Sequence, residues 1–153
     1  MDFNELNKHG EALAGSPSRG DQALYKTWSM KMNTENEELV VRPGIFVAVD
    51  GEDVKLFEAD TDVLAGIIIR TGIYRKIKPY LENVDVCKIG HGDGIWAMQA
   101  EDSVLEAGDP VYIVASGDDV GKATSEATGN KSTKYIASKV RGNLVEVTRK
   151  EDE

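Results

Sequence analysis

From Leu39 to Thr148 the chain is cut into short apolar runs by Gly, Asp and Asn, and this rhythm limits the fold more than any other feature. Ile45 to Val49 is followed by Asp50-Gly51, a dipeptide suited to a type I′ hairpin, and Val54 to Phe57 reads as the returning strand. Val40 and Val41 extend the first run, with Pro43-Gly44 interrupting it. Val63 to Arg70 reads as a strand buried on both faces. Val84 to Ile89 and Ile95 to Met98 flank Gly90-His91-Gly92-Asp93-Gly94, which reads as a tight turn. Val111 to Ala115 follows Gly108-Asp109-Pro110, and Lys134 to Val140 pairs with Leu144 to Thr148 across Arg141-Gly142-Asn143. In that last strand Val145 and Val147 face one way, and Glu146 and Thr148 the other. Short strands with such turns predict a mainly β fold, a compact antiparallel β-barrel or sandwich, over residues 39–149. At most one short helix fits, Ile73 to Glu82, and Pro79 limits its length. Ala65-Gly66 and Ala107-Gly108 both precede apolar runs, but two short matches do not make a repeat.

Residues 1–38 are of another kind. Gly10, Gly15, Gly20 and the breaker cluster Ser16-Pro17-Ser18 leave no long strand-like run. Asp2 and Glu5 suit a capping box, and Phe3, Leu6 and Leu13 share a face of a short helix that Gly10 weakens. Thr27 to Met32 alternates polar and large apolar residues, as a short strand with one buried face does. No partner strand for it is evident in the sequence. The segment reads as an extended N-terminal arm with anchoring points. The charged end, from Arg149 to Glu153, reads as a frayed tail.

Composition then excludes several classes. The 153 residues carry a net charge of −9, spread as −3 over the arm and −6 over the rest. Such a surface repels a nucleic-acid backbone or an anionic membrane, so neither is expected as a partner. The single cysteine, Cys87, can form no internal disulfide and no multi-cysteine zinc site. No basic-then-apolar leader opens the sequence, and its longest apolar stretch, Val63 to Ile69, is far short of the roughly 20 residues of a membrane helix. The reading is a protein made in, and soluble in, a cytoplasm.

Catalytic signatures fail one by one. A phosphate loop over Gly117 to Thr124 would need glycine at Ser116 and a hydroxyl at Ala123, and Asp118 and Asp119 would oppose phosphate. His91 and Asp93 sit in a glycine-rich turn, where positive φ and solvation explain them without chemistry. An enzyme would rest on that pair alone, since His9 lies in the arm. Cys87, between Val86 and Lys88, reads as a small packed hydrophobe. The carboxylates of Glu35, Glu37, Glu38, Asp60 and Asp62 read as solvated groups in polar breaks. No cofactor or metal site is expected.

Two groups remain as candidate contacts. Arg75, Lys76 and Lys78, with Arg70, Tyr74 and Tyr80, form the basic cluster of the sequence. It could stack single-stranded nucleic acid, meet an acidic protein surface, or be a solvated face. Trp28, Met30 and Met32, with Tyr25, and Phe3 and Leu6 nearer the N-terminus, are either core or a surface that docks on another chain. Trp96 reads as core.

The order of motifs from Ala65 to Val147 supplies one more constraint. Ala65-Gly66-Ile67-Ile68-Ile69-Arg70-Thr71-Gly72 comes first, then Tyr80 and Asp85-Val86. Ile89-Gly90, Gly94-Ile95-Trp96 and Ala107-Gly108-Asp109-Pro110-Val111-Tyr112 follow. Ala127-Thr128-Gly129-Asn130 and Leu144-Val145-Glu146-Val147 close the series. This succession, over about half the chain, resembles the structural cement (head decoration) proteins of tailed bacteriophages. The resemblance implies a small, non-enzymatic β fold that binds the outside of the phage head between major capsid (coat) protein subunits and stabilises the shell. It implies a protein made in the host bacterial cytoplasm and located in the virion. Self-association as a trimer is expected, and a dimer also fits. The arm is longer, and the tract from Arg75 to Glu82 more basic, than the family pattern. A small β-barrel that binds a ligand or single-stranded nucleic acid is the alternative.

Overall fold

The computed structural model describes residues 14–19, 25–29, 43–69, 83–89 and 94–150. Eleven strands are seen among them, and no helix. They are β1 (Pro17–Arg19), β2 (Tyr25–Ser29), β3 (Phe46–Asp50), β4 (Asp53–Lys55), β5 (Leu64–Ile68) and β6 (Asn83–Cys87). β7 (Gly94–Met98), β8 (Pro110–Ile113), β9 (Ala123–Thr124), β10 (Lys131–Arg141) and β11 (Leu144–Arg149) complete the set. The predicted helix, Ile73 to Glu82, lies outside the described residues, as do Val40 and Val41.

The strands form two sheets. One has six strands in the order β1-β7-β11-β10-β8-β9. The other has five, in the order β2-β6-β5-β3-β4. The six-stranded sheet curls, and a single bridge between Gln99 and Ala123 returns its β9 edge to the end of β7. It is a half-barrel rather than a closed barrel, and the second sheet stays open. Backbone bonds tie the two. Met98 N–H donates to Gly44 O at 2.9 Å, and Phe46 N–H to Gly121 O at 2.8 Å.

Between the sheets lies the main core. Phe46, Ile67 and Cys87 come from the five-stranded sheet, and Ile95, Val111, Ile113, Val145 and Val147 from the other. All of these are fully buried, and each large one stabilises the fold by about 1.5–3 kcal/mol relative to exposure. Phe46 also stacks on Tyr135, ring centroids 6.0 Å apart. A second cluster, Val47, Val54, Ala65, Ile68 and Val86, occupies the other face of the open sheet. The predicted two-sided burial of β5 is therefore seen from Ala65 to Ile69, while Val63 stays exposed. Gly66 permits it: at φ +153°, a Cβ there would lie 2.5 Å from the Cys87 carbonyl oxygen. Cys87 packs as a small hydrophobe.

Several expectations are corrected. The β3–β4 loop is Gly51-Glu52, because Asp50 pairs with Asp53. Positive φ falls on Gly51 alone, which excludes type I′ and matches type II′. β6 and β7, read as flanking a tight hairpin turn, lie in different sheets and do not pair with each other; residues 90–93 between them lie outside the described residues. Pro17 begins a strand rather than a break: β1 is an edge strand, where a missing N–H costs no ladder bond. The arm's apolar strand has its partner within the chain, as β2 runs antiparallel to β6. Arg149 is not frayed but ends β11, opposite Tyr135. In β11 the predicted alternation holds, yet Glu146 and Thr148 are buried as well, Glu146 to 2% exposure. Trp96, directly across from Glu146, is buried as expected, and the Arg141 guanidinium lies 5.8 Å from its ring centroid.

Candidate functional site

Two of the motifs that carried the resemblance are joints. In Ala107-Gly108-Asp109-Pro110, the Asp109 carboxylate accepts the Glu106 N–H at 2.9 Å. Gly108 N–H donates to Ala137 O, and Ala137 N–H to Asp109 O, so the turn is sewn to β10 before β8 begins. In Gly129-Asn130, the Asn130 side chain accepts the Ala115 N–H and donates to Glu126 O. These side chains bond the backbone, which gives both a local structural role.

The loop tested as a phosphate site is another joint. Lys122 Nζ sits 2.8 Å from Asp119 Oδ1, and Asp119 also accepts the Glu101 N–H. The Lys122 hydrogen bond holds the Asp119 carboxyl below its ordinary pKa. Asp62, expected to be merely solvated, accepts the Glu58 and Ala59 N–H groups and lies 3.6 Å from Lys55 Nζ. The Glu58 N–H bond leads in lowering its pKa. Among the described residues no group of three or more His, Cys, Asp or Glu could hold a metal ion.

One region has polar groups to spare. A groove of about 570 Å³ opens where the two sheets meet. Leu64 and Ala65 of β5 and Ile89, just after β6, give it apolar walls. Lys88, Lys134 and Arg149 supply three cations, with Ser132, Thr133 and Tyr135 between them. Local backbone geometry sets this arrangement. Ser132 pairs with Tyr112 and Ile136 with Pro110, so β10 carries a bulge between them. A bulge leaves ladder groups without strand partners. The Thr133 hydroxyl supplies them, donating to Val111 O and accepting the Tyr135 N–H. Lys134 and Arg149 are then neighbours through the Tyr135–Arg149 pair and the Lys150 N–H bond to Lys134 O. Burial pushes the Tyr135 phenol up in pKa, against the Ile89 backbone hydrogen bond and the Arg149 charge, which lower it.

No carboxylate among the described residues pairs with Lys88, Lys134 or Arg149. Sequence reading missed this set because its members lie far apart in the chain. The recognisable β10–β11 hairpin was the available signal, since it places Lys134 beside Arg149. Of the residues singled out from sequence, Tyr25 lies opposite Cys87 and Trp28 opposite Val84. Phe3, Leu6, Met30, Met32, Arg75, Lys76 and Lys78 lie outside the described residues, as do His9, His91 and Asp93.

A family model described as XM1 gp53 minor capsid protein matches residues 5–149. A chain in the solved structure of the capsid of Myoviridae phage XM1 has the same fold, with a TM-score of 0.70 at 18% identity. The match covers 90% of this chain and 89% of that one. No curated protein matches.

Proposed function

Because the chain belongs to the XM1 gp53 minor capsid protein family, a family of structural rather than enzymatic phage proteins, we propose that it is a cement protein of the outer head surface. In this reading it binds between major coat protein subunits and stabilises the shell. The match of residues 5–149 to a minor capsid family carries the reading. The motif order resembling head decoration proteins supports the finer role, and the chemistry agrees with it. A cement protein needs rigid joints and a contact surface, and the polar groups of two of the motifs go into joints. A net charge of −9 keeps free copies apart and soluble before assembly. Many copies on a symmetric lattice then turn modest contacts into durable attachment.

The test is co-sedimentation of the purified chain with shells of its own coat protein. The chain is expected in the shell pellet, with a raised temperature of shell disruption. A chain left wholly in the supernatant, with unchanged shell stability, would contradict the proposal.

A further inference from the structure

We propose that the cationic groove receives the acidic loop 101–106 of a second copy of this chain. The groove gathers Lys88, Lys134 and Arg149 around Leu64, Ala65 and Ile89, on a chain whose net charge is −9. Copies of such a chain carry a net mutual repulsion, and a groove of cations that meets an acidic surface of another copy offsets it locally. The chain carries a matching surface. Glu101, Asp102 and Glu106 are exposed, and Val104 among them is 74% exposed, the most open large hydrophobic residue described. None of the three acids has an ion-pair partner among the described residues. Three anions around one apolar tip therefore face three cations around an apolar wall.

The loop is also pre-shaped. Gln99, only 8% exposed, donates from Nε2 to Ser103 O and Oγ at 3.1 Å. Ser103 Oγ accepts the Ser125 N–H at 3.1 Å, and Ser125 Oγ the Val104 N–H at 3.4 Å. Leu105 is anchored in the core. A loop fixed before contact loses little conformational entropy on docking. No residue of 101–106 lines the groove, so each copy offers both halves of the contact, which either is reciprocated across a two-fold axis or repeats head-to-tail around a ring or along a row. A polynucleotide fits less well: Tyr135 is stacked on Phe46 and buried, so the groove offers no open ring for a base.

The inference stands apart from shell binding, because it is tested on the full chain alone. Sedimentation velocity should show reversible association up to about 0.5 mM protein, weakened as salt rises from about 50 to 300 mM. K88E/K134E and E101K/D102K should each weaken association by at least ~10-fold, and combining them should restore it to within ~3-fold of the parent. Val104→Ser should weaken association several-fold with an unchanged Tm, which keeps the test open if a charge reversal misfolds. A strictly monomeric parent chain, or a combined variant no better than either half, would overturn the proposal. Groove-dependent binding of a fluorescent oligothymidylate without self-association would overturn it too. If K88E/K134E leaves shells while the parent alone stays monomeric, the groove's partner is the coat protein, and only this inference falls.

Discussion

The joints around residues 99–130 and the groove between the sheets use polar side chains in opposite ways. At the joints, Asp109, Asp119 and Asn130 each bond backbone or a neighbouring side chain. At the groove, Lys88, Lys134 and Arg149 meet no carboxylate among the described residues. Spent polar groups hold a fold, whereas unspent ones of a single sign attract a partner. Replacements at the first kind should cost stability, and those at the second should cost association.

The largest loss is expected just behind the groove. Gly66→Ala puts a Cβ against fixed backbone of β6 at a φ that suits glycine, and should destabilise the chain by about 3 kcal/mol in urea unfolding. Thr133→Val leaves Val111 O and the Tyr135 N–H without their partner, for a loss of about 2 kcal/mol. Because that hydroxyl lies in the groove but serves the bulge, the loss would mark the line between joint and contact. Asp62→Asn and Asp119→Asn should each cost about 1 kcal/mol at neutral pH. Both folded pKa values lie below the ordinary aspartate value of 3.8. Their contribution is therefore complete above that pH and lost as pH falls through the folded values, so parent and variants should converge in acid. The smallest effect belongs to the groove: Lys134→Gln should shift stability by less than about 0.5 kcal/mol. A loss as large as that of Thr133→Val would make Lys134 a joint and dissolve the contrast.

Much of the core was legible because period and turn chemistry agree. Val145 and Val147 alternate with Glu146 and Thr148, and the β10–β11 hairpin falls where Gly142-Asn143 allows it. The pairing of β2 with β6 was not legible, since strands more than fifty residues apart share no local signal. Pro17 hid β1 because proline breaks central strands, yet an edge tolerates it. For the groove, Lys88 and Lys134 come to line one site only because the two sheets pack together. The sequence cluster at Arg75 drew attention because charge adjacent in sequence is visible and charge adjacent in space is not.

Shell attachment is the central claim, and a cryo-electron microscopy map of virions tests it most directly. The account predicts density for the two-sheet fold on the outer face of the head, wedged between coat subunits. Density for that fold on the inner face, or at a site touching no coat subunit, would contradict it.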